Sequence, residues 1–360
     1  MSGCRAIILP PREHFGPGAV GAVGLVVNRL ADTDDFFVGE NTPHPTFPGR
    51  HFHPVTRPFW PPFGRTARYL AGAIETLRIL NPSQIEIHNR ASFVPALARA
   101  FPNARLALFI HNEPQAMRGA KTAAQRATLL HQATIVCVST YLARRFMEGV
   151  HSPTEPAILH NAVDLSALPP RADPREPTLL FAGRIVADKG ADAFVRACAT
   201  VLPTRLAWRA EMIGADRFWP GSRPTPFQNA LAPQAAAAGI VMRGYMPHAE
   251  VLKAMAQAAI VVVPSRWAEP FGLTALEAMA SGAALICSRR GGLPEVAGQA
   301  ALYADPDEPG ALEAAMTRLM DDAALRARMA VLGLERAPLF DATRARARLL
   351  ALRCMGNMPN

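Results

Sequence analysis

Glu269 and Glu277 stand eight residues apart in the stretch Ser265 to Gly298, SRWAEPFGLTALEAMASGAALICSRRGGLPEVAG. On one continuous helix that spacing would bring both carboxylates near one face. Pro270 forbids it by pushing Glu269 out of the α region, and Gly272 permits a tight turn, so Glu269 is predicted in a loop and Glu277 inside the helix that follows. The six apolar residues Ala258 to Val263 before the stretch predict a buried strand. A strand, a Gly-containing loop and a helix start form an anion site, because the first helical N–H groups lack intrahelical partners and the macrodipole favours negative charge. The expectation is a phosphate held between two acids. Two Glu beside an apolar helix are ordinarily solvated surface charges; the strand-loop-helix setting and the following Gly291-Gly292-Leu293-Pro294-Glu295 weigh against that reading here.

A second cluster has the opposite sign. The strand Thr178 to Ala182 runs into Gly183-Arg184 and then Asp188-Lys189-Gly190 ahead of another helix. A strand end, glycines, two cations and a helix start make one compact anion pocket, against the alternative of a solvent-exposed turn. Lys189 is one of three lysines in a chain with 35 arginines. A third set is polar and centred on two histidines. His88-Asn89-Arg90 and His111-Asn112-Glu113-Pro114 follow the predicted strands Gln84 to His88 and Arg105 to Ile110, at the carboxyl ends where open α/β sheets place their ligands. One such His fits a satisfied strand-end residue equally well; two in the same topological position favour a site.

The elements that must position these groups alternate strand and helix. Arg5 to Leu9 predicts a first buried strand, followed by a Pro- and Gly-rich loop and a helix over Val23 to Ala31, the opening of a doubly wound α/β domain. The glycines Gly16, Gly18, Gly21 and Gly24 fit a close backbone approach to a ligand and a flexible turn alike, and no G-x-G-x-x-G with a following acid is present, against a dinucleotide dehydrogenase. Asp32 to Pro62 is expected as loop, with a solvated turn at Asp32-Thr33-Asp34-Asp35 and three histidines, His44, His51 and His53. Arg57 to Gly64 (RPFWPPFG) fits packing or a docking surface, and Arg65 to Leu80 an amphipathic helix. Thr134 to Val138 predicts a strand and Ser139 a helix N-cap. Farther on come strand Ala207 to Ile213, a loop Gly214 to Asn229, strand Ile240 to Arg243 with the turn Gly244-Tyr245-Met246-Pro247-His248, and peripheral helices over Gly310 to Met320 and Ala323 to Leu332.

The two acids in E-x7-E spacing, with Arg184 and Lys189, resemble retaining glycosyltransferases of the GT-B fold, most closely the large family 4. Val138-Ser139 and its helix, and Ile158-Leu159-His160-Asn161-Ala162-Val163-Asp164 with Ala162 in place of the usual Gly, extend the resemblance over most of the chain. IHNR and HNEPQAMRGAKT resemble a subgroup of lipopolysaccharide-core N-acetylglucosaminyltransferases and spore-coat glycosyltransferase-like proteins. The resemblance implies an α/β chain with two Rossmann-like domains facing each other across a cleft. It implies an acceptor domain over 1–165, a linker over 166–177, a nucleotide-sugar domain over 178–338, and a helix over 339–360 crossing back to the first domain. It implies that Glu269 holds hydroxyls of the donor sugar and Glu277 those of the ribose. Phosphate falls to the backbone of Gly272, Leu273 and Thr274 with Gly183, Arg184 and Lys189, and the base to Gly244, Tyr245 and Met246. His111 is implied near the anomeric centre, with His88, Asn112 and a Gly21-Ala22 pair, where the family has Gly-Gly, on the acceptor or phosphate side. It implies no divalent ion and no cofactor, which favours the solvated-turn reading of the Asp cluster.

At 360 residues, half of them hydrophobic, the chain fits two domains with substantial cores. The net charge of +9 suits anionic nucleotides or an anionic membrane surface. Nucleic acid is excluded as a partner because zinc-finger spacing and aromatic-basic RNA signatures are missing. The five cysteines are scattered, mostly in apolar runs, and predict reduced thiols in a cytoplasmic protein. No apolar run approaches the ~20 residues of a membrane span, so any membrane contact is expected to be peripheral. The function expected is transfer of a sugar, UDP-linked by the subgroup resemblance or GDP-mannose, to a glycan or lipid-linked acceptor. The alternatives are a non-catalytic glycosyltransferase-like scaffold, a sugar-nucleotide epimerase or a glycan phosphorylase.

Overall fold

The computed structural model describes residues 4–17, 20–41, 45–59, 64–216 and 223–355. Gly18, His44, part of the RPFWPPFG segment and the middle of the 214–229 loop lie outside them. The chain divides into two compact units, residues 1–161 with 343–360, and residues 162–342.

The first unit holds seven parallel strands in the order β3-β2-β1-β4-β5-β6-β7. In chain order its elements are β1 (Arg5–Ile8), α1 (Ala22–Leu30), β2 (Phe36–Glu40), β3 (His51–Val55), α2 (Gly64–Leu80), β4 (Gln84–His88), α3 (Val94–Ala100), β5 (Arg105–Ile110), α4 (Ala123–Gln132), β6 (Thr134–Cys137), α5 (Thr140–Met147) and β7 (Ala157–Ile158). Helices cover both faces of such a sheet, so its inner strands are apolar throughout: Ala6, Ile7, Ile8, Ile85 and Ile87 are all buried. Ser139 caps α5 as expected, its hydroxyl accepting from the Leu142 N–H at 3.1 Å.

Two strands stand where a loop was expected between Asp32 and Pro62. β2 pairs in parallel with β1 and β3 with β2. β3 escapes detection because its sequence, HFHPV, is polar and contains Pro54, which an edge strand tolerates on its unpaired side. The Asp cluster also departs from a solvated turn. Asp35 is 1% exposed and accepts from Arg5 at 2.5 Å and from Arg353 at 3.2 Å. Arg353 lies on α13 (Ala342–Met355), the helix that returns to the first unit. It also donates twice to Glu86, at 2.7 and 2.9 Å, and once to Asp32 at 2.9 Å. Burial pulls the Arg353 pKa down, but its Glu86 hydrogen bonds and the neighbouring acids outweigh that and hold it raised.

The second unit holds six parallel strands in the order β10-β9-β8-β11-β12-β13. After a short turn at Leu165–Ala167 come β8 (Glu176–Ala182), α6 (Ala191–Val201), β9 (Arg209–Ile213), α7 (Pro226–Ala237), β10 (Ile240–Gly244), α8 (His248–Gln257), β11 (Ala258–Val263), α9 (Leu273–Ala280), β12 (Ala284–Cys287), α10 (Leu293–Ala297), β13 (Ala301–Tyr303), α11 (Ala311–Asp321) and α12 (Ala323–Arg336). The chain builds outward from β8 to β10 and then returns to β11 on the other side of β8, so the strand order reverses between β8 and β11. Ligands of doubly wound sheets sit outside the carboxyl ends of the strands at that reversal.

Candidate functional site

At the reversal point of the second unit, the loops after β8 and β11 are locked together. The Asp188 carbonyl accepts from the N–H groups of Arg266 and Trp267 at 2.8 and 2.9 Å and from the Ser265 hydroxyl at 3.2 Å. Gly190 is left-handed, with φ 71°, and a Cβ there would lie 1.9 Å from the Pro264 carbonyl oxygen. Arg266 donates to both carboxylate oxygens of Asp192, on α6, at 2.6 and 2.9 Å. Those bonds raise the Arg266 pKa; at Asp192 burial acts upward, but the Arg266 and Arg196 hydrogen bonds win and hold its carboxyl below the usual range.

This frame brings the expected cation and acid into contact. Lys189 donates to Glu269 Oε1 at 2.5 Å, with Glu269 8% exposed. Arg184, half-buried, follows Gly183 at the end of β8. Gly291 and Gly292 explain the double glycine after the site. A Cβ on Gly291 would stand 2.2 Å from the Glu269 carbonyl, and the Gly292 N–H donates to that same carbonyl at 2.6 Å. The pair therefore holds the Glu269 loop from behind. Gly272, left-handed, is the N-cap of α9 and offers no side-chain cap. Leu273 and Thr274 open the helix, half-buried. Glu277 lies inside α9, 6% exposed, and bonds His248 Nε2 at 2.7 Å. His248 begins α8, directly after the Gly244-Tyr245-Met246 turn, whose Gly244 carbonyl accepts from the Gly214 N–H at 2.8 Å. Two cations, two acids, a helix start and the backbone turns after β8 and β10 thus line one end of one sheet. No role was expected for His248, the last residue of the predicted turn, or for the Asp188 carbonyl, and nothing in the sequence marks a carbonyl.

The other predicted residues belong to the first unit. His88 and His111, at the ends of adjacent strands β4 and β5, meet directly: His88 Nδ1 and His111 Nε2 are 2.9 Å apart. Their rings stack at a centroid distance of 5.2 Å. Burial lowers both: His111 to about 4, and His88 well below its ordinary value, with His111 and Arg353 adding to the effect. Both rings are therefore neutral near pH 7, and His88, 4% exposed, is no open ligand contact. Their neutral burial contributes stability that is fully present above an unfolded-state value of about 6.5 and is lost as pH falls, for His111 toward about 4. Urea melts at pH values below about 6.5 are expected to show a shallower acid-side loss in His88→Phe than in the parent. Asn112 is exposed beside them. Glu113, next in sequence, instead pairs with Arg145 at 3.2 Å.

Gly21 and Ala22 depart from the phosphate-loop expectation. The start of α1 already holds a carboxylate of the chain itself, for Gly24 N–H donates to Glu13 Oε1 at 2.8 Å. A Cβ on Gly21 would stand 2.5 Å from the same oxygen, so this glycine makes room for Glu13. Burial raises the Glu13 pKa against the opposing pull of the Gly24 hydrogen bond and Arg90.

Two family models match the chain: Glycosyltransferase Family 4 over residues 28–167 and Glycosyl transferases group 1 over residues 169–333. Among curated relatives, a D-inositol 3-phosphate glycosyltransferase of Nocardioides sp. is 31% identical over 210 residues, covering 52% of this chain and 46% of that protein. The O-antigen chain mannosyltransferase B of Escherichia coli is 38% identical over 97 residues, covering 27% of this chain and 25% of that protein. The chain thus spans less than half the length of either relative. Among solved structures, sucrose-phosphate synthase from Thermosynechococcus elongatus superimposes with a TM-score of 0.79 at 20% identity, covering 98% of each chain. Anabaena HepE in complex with UDP-glucose does so with a TM-score of 0.77 at 15% identity, covering 98% of this chain and 99% of that one. These likenesses show the fold, two Rossmann-like units of the GT-B type. Among the described residues no helix is long and apolar enough to cross a membrane.

Proposed function

For a chain that belongs to the GT-B glycosyltransferases of family 4, we propose transfer of a sugar from a nucleotide-sugar donor to a glycan or lipid-linked acceptor, with retention of anomeric configuration. The observation that carries this reading is the Lys189–Glu269 contact at the strand reversal, with Glu277 one loop and about one helical turn away. Departure of the nucleotide builds negative charge on its diphosphate. Arg184, Lys189 and the opening N–H groups of α9 stabilise that charge more than they stabilise the bound donor. Glu269, held by Lys189, accepts from sugar hydroxyls, and Glu277, held by His248, from ribose hydroxyls. The acceptor attacks on the face the phosphate leaves, a phosphate oxygen takes its proton, and no separate nucleophile from the protein is required. A UDP-sugar is the favoured donor, supported by the UDP-glucose in the HepE structure. The role is in cell-surface polysaccharide synthesis, on the resemblance of the IHNR and HNEP segments.

Thermal stabilisation by a panel of UDP-, GDP- and ADP-sugars tests the donor site. A donor at a hundredfold excess over its Kd is expected to stabilise the protein by about 2.7 kcal/mol. Glu277→Ala and Lys189→Ala should each shrink that shift for the one nucleotide class that binds. No shift with any donor at millimolar concentration would instead favour a non-catalytic scaffold.

A further inference from the structure

Lys189 and Glu269 stand on different loops, after β8 and after β11, so their contact depends on how those loops are fastened to each other. Arg266, three residues before Glu269, spans the two loops with its backbone and its side chain. Its N–H donates to the Asp188 carbonyl at 2.8 Å, and its own carbonyl accepts from Arg290 Nη1 at 3.0 Å. Its guanidinium reaches both flanks of Lys189. On one side Nη1 donates to the Ala187 carbonyl at 2.9 Å; on the other, Nη1 and Nη2 grip the two oxygens of Asp192 at 2.6 and 2.9 Å. The remaining Nε donates to Asp307 at 2.5 Å. All these residues belong to the second unit.

Two features separate this guanidinium from a ligand contact. Its four hydrogen bonds engage four of the five donors that an arginine carries. It also lies in a charge-balanced cluster, in which Arg196, Arg266 and Arg290 meet Asp192, Asp305 and Asp307 at 2.5 to 2.9 Å. Three cations against three anions leave no net charge to draw a diphosphate. The ammonium of Lys189 differs, since it gives one of its three donors to Glu269. Asp305 and Asp307 are about half exposed, and ion pairs of that kind add little to global stability. What the cluster supplies is direction. A planar fork bonded to several fixed acceptors sets angle as well as distance, which an ammonium on a flexible stem does not.

We propose that Arg266 is a positioning residue that sets the Lys189–Glu269 pair by clamping the loop after β11 to the turn Ala187–Lys189 and the first turn of α6, without touching ligand itself. Loss of the clamp misplaces an ammonium that acts as the nucleotide departs, and so lowers kcat more than it weakens donor binding. That consequence rests on the transfer reading above; the clamp itself does not.

Backbone hydrogen exchange of the full chain tests the clamp without any turnover. In Arg266→Met, the N–H groups of Trp267 and Gly190, which bond carbonyls of the 186–190 segment, are expected to accelerate by about tenfold or more beyond those of the buried strands β8 and β11. An acceleration there no greater than in the strands would overturn the proposal. In transfer assays Arg266→Met and Arg266→Lys are each expected to lower kcat by about tenfold to 10²-fold, with donor KM within about threefold of the parent. Combined with Lys189→Ala, Arg266→Met should cost less than about threefold more, because its effect passes through the residue already removed. Losses that simply multiply would show Arg266 acting apart from Lys189 and would also overturn the proposal. Asp192→Ala removes the paired acceptor and keeps Arg266; it should reproduce the kcat loss, and it carries the test if Arg266→Met does not fold. Arg205→Met breaks a similar grip, on Asp321 at 2.7 and 2.6 Å, just before β9 at the opposite end of the same sheet, and should leave kcat unchanged. A parent protein with no transfer activity would defeat the proposed function and leave the exchange rates to decide the clamp.

Discussion

Lys189→Ala is expected to lower the turnover of sugar transfer by about 10²–10³-fold, the effect of removing one fixed donor from a developing oxyanion (~2.7–4 kcal/mol). The structure adds a reason for the size of the loss. Lys189 already holds Glu269 at 2.5 Å, and Glu269 is 8% exposed. Removing the ammonium therefore takes a cation from the diphosphate and also frees a buried carboxylate that repels it. Glu269→Gln separates the two effects, because it keeps the cation and removes the repulsion; its loss should be smaller and should appear partly in KM. Steady-state kinetics with the donor found in the thermal panel decide the matter. A Lys189→Ala variant with unchanged kcat and only a raised KM would show that Lys189 binds the donor without favouring its departure.

Arg353→Met is expected to destabilise the first unit by about 3–5 kcal/mol, the range for removing one member of a buried ion pair. Its partners do not suffer equally. Asp35 keeps Arg5 at 2.5 Å, and Asp32 is largely exposed. The carboxylate of Glu86, a residue 4% exposed, makes its hydrogen bonds to Arg353 alone among the described residues and is left as a buried, unpaired charge. Adding Glu86→Gln to Arg353→Met should then recover part of the loss, a coupling that a merely steric role for Arg353 would not produce. Denaturant melts of the two single variants and the double variant give the coupling directly. A single-variant loss under about 1 kcal/mol would place the pair among those that contribute little.

The sequence by itself determined most of the elements and the local positions of Glu269 and Glu277. Buried parallel strands are apolar on both faces, so Gln84–His88, Arg105–Ile110 and Ala258–Val263 stand out as bounded runs. Glycine and proline fix local backbone geometry, so the loop position of Glu269 and the helical position of Glu277 follow from Pro270 and Gly272 alone. Both properties are local, and a linear reading captures them. The edge strand β3 was lost because Pro54 and two histidines hide its pattern.

Only the tertiary structure decided which charge meets which. Thirty-five arginines offer every acid many partners at the level of sequence. The contact of Glu86 with Arg353, 267 residues away, exists because a helix from the end of the chain packs onto the first sheet. The same holds for Glu277 with His248, for Glu13 at the start of α1, and for His88 with His111, whose rings touch because β4 and β5 are neighbours in register. A hydrogen bond depends on tenths of an ångström between groups distant in sequence, and no local pattern encodes that distance.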